Sequence, residues 1–207
     1  GILYSLNYQR IIAAHIDPIE KKPLFHFYPG SNSYSVAAIG CNFHCLHCQN
    51  WTISQVQGDI ITGEKVPPAD IVDDALNNNC LSISYTYTEP TIYYETAYEI
   101  SQIAHEKDLK NIFVTNGYIN PEALKNIAPY LDAANIDLKA MNEDFYRNVC
   151  GAKLQPVLDS IKLYFQLGIW IEITTLIIPG YNDSSDELRK IARFIADIDK
   201  NIPWHIT

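Results

Sequence analysis

The sequence is short of positive charge. Lysine and arginine number 15 against 24 aspartates and glutamates, for a formal net charge of −9. Phosphate backbones are held by clustered Lys and Arg, so general nucleic-acid binding is not expected. Long apolar runs are missing as well. No stretch of about 18 apolar residues occurs, so no transmembrane helix and no membrane partner are expected. The opening residues Gly1-Ile2-Leu3-Tyr4-Ser5 carry no basic segment followed by an apolar one, so no secretory signal is expected. There is no repeat, no low-complexity tract and no internal linker. Cysteine is scarce, five in 207 residues. Without an export signal those thiols read as free or metal-bound rather than as a disulfide framework, and the expected compartment is the reducing cytoplasm.

What is present is a globular composition, 47% apolar and 19% charged, with enough length for one sizeable domain. Residues 2–27 alternate loosely and are broken by Pro18 and Pro23, which reads as a small hairpin or edge structure. His26, between Phe25 and Phe27, reads as a packed or loop histidine. The rest alternates between short apolar runs and helical patterns. Strands are expected over residues 34–39, 81–85, 111–114, 133–138, 169–178 and 202–206. Helices are expected over 68–78, 91–107, 121–129 and 154–167, the last closed by Gly168, and from Ser184 onward behind a capping box. Six strands separated mostly by helices imply βα units, a parallel sheet and right-handed crossovers. The fold class is α/β, a partial (β/α)6 TIM-like barrel or open sheet. Residues 1–33 form an extension and 34–207 the core. A chain that stops on a strand reads as part of a longer protein.

Three of the five cysteines fall in Cys41-Asn42-Phe43-His44-Cys45-Leu46-His47-Cys48, spaced C-x3-C-x2-C, directly after the first core strand. Thiolates are soft ligands that hold iron–sulfur clusters, and three of them leave one iron of a [4Fe–4S] cube open. The rival is structural zinc, with His44 or His47 as the fourth ligand. Cys80 and Cys150 read as small core residues. Polar groups stand at almost every later strand end: Thr88-Glu89, Thr115-Asn116-Gly117, Asp137-Leu138-Lys139, Glu172 with Thr174 and Thr175, and His205. In α/β folds the carboxyl ends of the strands gather ligand sites, so these groups are expected at one mouth. Tyr85, Tyr87, Tyr93, Tyr94 and Tyr98 are expected mostly in packing, with hydroxyls at a rim.

The cysteine spacing in this βα setting resembles the radical S-adenosylmethionine (radical SAM) superfamily. Glu89-Pro90 falls where that superfamily carries Gly-Gly-Glu-Pro. Thr115-Asn116-Gly117, Asp137-Leu138-Lys139 and the run from Leu176 to Asp183 resemble segments of pyruvate formate-lyase activating enzymes. The phrases Tyr4-Ser5-Leu6-Asn7-Tyr8, His26-Phe27-Tyr28-Pro29-Gly30-Ser31, Cys48-Gln49-Asn50-Trp51 and Tyr85-Thr86-Tyr87-Thr88-Glu89-Pro90 resemble the AmmeMemoRadiSam-system radical SAM proteins, which are longer at both ends.

The resemblance implies a [4Fe–4S] cluster on Cys41, Cys45 and Cys48, with S-adenosylmethionine chelating the open iron. It implies reductive cleavage to methionine and a 5′-deoxyadenosyl radical that abstracts hydrogen from a substrate, such as a glycyl-radical-type protein. The reductant would be a flavodoxin or ferredoxin. The implied cofactor contacts are His47, Gln49, Asn50, Thr88, Glu89, Thr115, Asn116, Asp137, Lys139, Thr174, Leu176 and His205; no separate catalytic residue is implied. The chain departs from the family pattern at four places. His47 replaces an aromatic residue, Tyr87-Thr88 replaces Gly-Gly, Val114 replaces an acidic residue, and Thr174 replaces an arginine. A non-catalytic module built round zinc or a cluster is the alternative.

Overall fold

A computed structural model describes residues 5–56 and 62–207. The first residues of the expected extension, including Tyr4 of the resembling phrase, lie outside the described residues. The strands are β1 (Arg10–Ile11), β2 (Ala13–Pro18), β3 (Asn32–Ala37), β4 (Glu64–Lys65), β5 (Ser82–Tyr85), β6 (Lys110–Thr115), β7 (Ala133–Asp137), β8 (Trp170–Thr175) and β9 (Trp204–Ile206). The helices are α1 (Trp51–Ser54), α2 (Pro68–Asn77), α3 (Tyr94–Glu106), α4 (Pro121–Ile127), α5 (Glu143–Phe145), α6 (Leu154–Gln166) and α7 (Ser185–Ile198). Seven strands make the main sheet in the order β2-β3-β5-β6-β7-β8-β9, and β1 pairs only with β4. β2 runs antiparallel to β3 and every later pair is parallel. The expected edge structure is therefore the antiparallel margin of the core sheet. β2 and β9 are free margins, so the barrel is not closed. Among the described residues no helix is long and apolar enough to cross a membrane.

Local chemistry explains the boundaries. The Ser184 hydroxyl accepts the Glu187 N–H at 3.2 Å and opens α7, whose Ile191 and Ile195 are buried. α6 ends where Gly168 takes φ +78°, with the Ile169 N–H bonded to the Tyr164 carbonyl at 3.2 Å. The strand expected over 169–178 is shorter because Asn182 captures its end. The Asn182 amide donates to Leu176 O, and the Ile178 N–H donates to Asn182 Oδ1 at 2.7 Å.

Alternation along each strand sorts the side chains to two faces. Tyr34, Val36, Ile83, Tyr85, Phe113, Ala134, Ile136, Ile171 and Ile173 belong to the large core under the helices. The opposite face is polar. Ser33 meets Ser84 at 2.6 Å, and Asn135 donates to Thr174 at 2.8 Å and to the Pro23 carbonyl at 2.9 Å. This resolves the oddity of Glu172 and Thr174 in a buried strand: both point to the inner face. The lower part of that face is filled by the segment after β2, where Ile19 and Leu24 pack on Ile112 and Ala133.

Candidate active site

The cysteine loop leaves β3 and crosses the carboxyl end of the sheet. Its shape comes from backbone bonds to a distant segment. α5 runs into a π turn, Tyr146–Cys150, that ends at Gly151. The Cys150 and Val149 carbonyls accept the His44 and Leu46 N–H groups, both at 2.9 Å. The Gln55 amide donates to Phe43 O at 2.8 Å and fixes the loop from the other side. Sequence reasoning missed this helix. Its π turn breaks the 3.6-residue spacing, although Asn142, which caps it through Asp144 and Phe145 N–H, was a legible start signal.

Cys41, Cys45 and Cys48 are free, partly exposed, and face one cavity of about 650 Å³. His47, Gln49 and Asn50 line it from the same loop, and Thr88, Glu89, Thr115, Asn116, Asp137, Lys139, Thr174 and Leu176 line it from later strand ends. His205 does not line this cavity. It sits lower on the inner face, its Nε2 2.6 Å from Glu172. The buried Glu172 carboxylate also accepts the Phe25 and His26 N–H groups at 3.0 and 2.9 Å and the Trp170 indole at 3.1 Å. The cavity thus brings together the expected cofactor contacts except His205, whose ring is hydrogen-bonded to Glu172 outside it. His26, read as a packing residue, joins the same knot through Nδ1 at 3.3 Å. A smaller hollow of about 340 Å³, beside Asp132 and Trp170, contains none of these groups.

The walls are cross-linked. Glu89 accepts the Thr115 hydroxyl at 2.8 Å, the Asn116 N–H at 2.9 Å and the Thr91 N–H at 3.2 Å. Burial nevertheless dominates and pushes its carboxyl up to about 7. Asn116 reaches Cys41 Sγ at 3.7 Å and Asn42 Oδ1 at 2.7 Å. Gly117 makes that turn with φ +75°, where a Cβ would come within 2.9 Å of Ile136. Burial pushes the Cys41 thiol up to about 11. Cys45 is lowered by its neighbour Cys150 and by the Lys139 ammonium, while burial opposes the shift. Burial also opposes the charge on Lys139, but Asp137 at 2.9 Å outweighs it and holds the ammonium well above the ordinary lysine range.

Sequence reasoning did not assign Lys21, Pro23, Thr86 or Thr207 to this wall; only Tyr87 of the expected rim tyrosines lines it. Tyr85 and Tyr93 are buried under the helices. Tyr87 takes φ +64°, a left-handed conformation ordinary for the glycine that the family carries in this segment. Its carbonyl accepts the Asn50 amide at 2.7 Å, and the Thr88 hydroxyl donates to Ala38 O at 2.6 Å.

The donor set bears on what it can hold. A single zinc with Zn–S near 2.3 Å would bring tetrahedral sulfurs to roughly 3.8 Å from one another. Among the described residues, only His26, Glu172 and His205 form a set of three metal-ligand side chains whose ligand atoms all lie within 4.8 Å of one another. Cys41, Cys45 and Cys48 do not form such a set, and three soft thiolates at C-x3-C-x2-C spacing suit an iron–sulfur cluster. His47 Nδ1 is buried in the same wall with no hydrogen-bond partner among the described residues, which fits a wall that takes a polar ligand.

Residues 36–195 match the family model of the radical SAM superfamily. The chain belongs to the radical SAM superfamily. Members of this superfamily use a [4Fe–4S] cluster and S-adenosylmethionine. An uncharacterized protein of Methanocaldococcus jannaschii is 51% identical over the whole chain, which spans 62% of that relative's length. Pyruvate formate-lyase 1-activating enzyme of Escherichia coli is 20% identical over 80% of the chain and 71% of the enzyme. A radical SAM methyltransferase from Sphaerobacter thermophilus shares the fold, with TM-score 0.63 and 17% identity over 87% of the chain and 56% of the other.

Proposed function

We propose that the chain is the core of a radical SAM enzyme that starts hydrogen abstraction on a substrate, of the glycyl-radical protein type. The observation that carries this reading is the facing of three free thiols across one cavity from polar strand ends. Cys41, Cys45 and Cys48 would hold the cluster, and His47, Asn50, Glu89, Asn116 and Lys139 would hold S-adenosylmethionine. When bound, the pair supplies reductive cleavage of a sulfonium bond. The chain's own residues set the surroundings. The Phe43 N–H at 3.4 Å and the Asn116 amide at 3.7 Å donate to Cys41 Sγ, and Ser54 Oγ lies 3.1 Å from Cys48 Sγ. Hydrogen bonds to thiolate sulfur favour its anionic form and help set a cluster's potential. Lys139 places a fixed positive charge beside Cys45. Phe43, 1% exposed, seals the floor behind the thiols. The name of the Escherichia coli relative supports a protein substrate.

Anaerobic reconstitution tests the reading. The protein should turn brown with broad absorbance near roughly 400 nm. With dithionite and S-adenosylmethionine it should form 5′-deoxyadenosine, while Cys45→Ala should do neither. A colourless protein carrying one zinc, or equal product from the variant, would overturn the proposal.

A further inference from the structure

The segment after β2 contributes charge to the cavity as well as packing. Asp17 is 5% exposed and Lys22 is fully buried. Asp17 Oδ2 accepts Lys22 Nζ at 2.6 Å and Oδ1 accepts Lys21 Nζ at 2.7 Å, and the Tyr87 hydroxyl donates to Oδ2 as well. One carboxylate therefore meets two ammonium groups. Burial works against ionised Asp17, but the two lysines and the phenol outweigh it and hold the carboxyl well below its ordinary range. Burial lowers Lys22, and Asp17 works against that shift. Asp17 and Lys22 cancel each other in the interior, leaving Lys21 as the surplus charge.

Lys21 lines the same cavity as the cysteines, together with Pro23 and Tyr87. The other lysine on that wall, Lys139, is matched by Asp137 at 2.9 Å. Glu89 is held by its three donors on the Thr115–Asn116 side. Two lysines share the single Asp17 carboxylate, so this cluster carries one net positive charge beside the cavity in a chain of net charge −9. The local build is also costly. A non-glycine residue in the left-handed region is strained, and Tyr87 is held there by Asp17, by Asn50 and by the Lys22 ammonium 4.6 Å above its ring. Backbone strain of this kind clusters at ligand sites. The Lys21 side chain is 58% exposed, so a solute can reach it.

We propose that Lys21 marks an oxyanion subsite, where a carboxylate or phosphate group of the substrate is held on the wall formed by Asp17, Lys22 and Tyr87. This rests on the reading of the cavity as the active site. The probes are malonate and inorganic phosphate, titrated into cluster-free full-length chain whose lysines carry 13C-dimethyl labels, at constant ionic strength. Lys21→Arg assigns the Lys21 signal. That signal should shift saturably with malonate, phosphate or both, and the probe that saturates it identifies the group as carboxylate or phosphate. Lys21→Gln should weaken the affinity at least about tenfold by calorimetry, and Lys21→Arg should largely retain it, as loss of one charge-assisted contact predicts. Uniform drift of all lysine signals, or unchanged affinity in Lys21→Gln, would mean an adventitious ion only and would overturn the subsite. A third arm adds S-adenosylmethionine to cluster-loaded protein. Saturation of the Lys21 signal there would assign the anion to the cofactor's own carboxylate and overturn the substrate assignment. The first two arms need no cluster, so their failure is separate from failure of 5′-deoxyadenosine formation.

Discussion

Two buried glutamates respond to pH in opposite directions. Glu89 is pushed from an ordinary 4.5 up to about 7 by burial, so the folded state holds its proton more tightly than the unfolded chain. Its contribution to stability is complete below about 4.5 and is lost as pH rises to about 7, a change of about 3 kcal/mol if nothing else titrates. Urea midpoints measured from pH 4.5 to 8 should fall across that window, and Glu89→Gln should flatten the fall; an unchanged slope in the variant would show that another group is responsible. Glu172 behaves the other way. Burial raises it, but the Phe25 N–H, His205, the His26 N–H and Trp170 outweigh burial and depress it. Its contribution is therefore present at neutral pH and lost in acid. The same residue type gives two signs because both are buried but Glu172 has more donors, His205 among them.

Elements, rather than single residues, place the mouth of the cavity. Asn182 is 1% exposed and ties two strand ends together, donating to Lys139 O after β7 and Leu176 O after β8, both at 2.8 Å. Asn182→Ala leaves those carbonyls and the Ile178 N–H unpaired, at a cost of about 1–3 kcal/mol each at most. Thermal unfolding should show the loss, and amide exchange should quicken at Ile178 while β3 and β5 keep their protection. The six parallel strands and their helices were legible because their patterns are local: apolar runs, capping residues and a closing glycine. The shared mouth was legible from polar strand ends, because parallel strands bring all their carboxyl ends together. What escaped was set by distant partners. At Tyr87 the only signal of a left-handed backbone is the Gly-Gly that the family carries there, and the Asp17 carboxylate and the Asn50 amide support it from elsewhere. His205 was misplaced for a related reason: its strand ends at the mouth, but Glu172, one strand over, holds the ring lower down.

For the whole molecule, the N-terminal segment is part of the fold. It supplies β2 as the margin of the sheet, Ile19 and Leu24 against Ile112 and Ala133, and the buried Asp17–Lys22 pair. Deleting residues 1–31 removes all three. The deletion strips β3 of its antiparallel partner and uncovers Ile112 and Ala133, losses that weigh heavily against the small net stability of a domain. The truncated chain should therefore lose its cooperative urea transition in circular dichroism, and a transition matching that of the intact chain would refute this account. The bonds from His44 and Leu46 to the π turn have a consequence for the cysteine loop. They join segments far apart in the sequence. The spacing of the cysteine loop therefore depends on the π turn behind α5 as well as on the loop's own residues. A cluster held by the three thiols would thus draw its geometry from the folded sheet and from α5, not from the eight-residue motif alone.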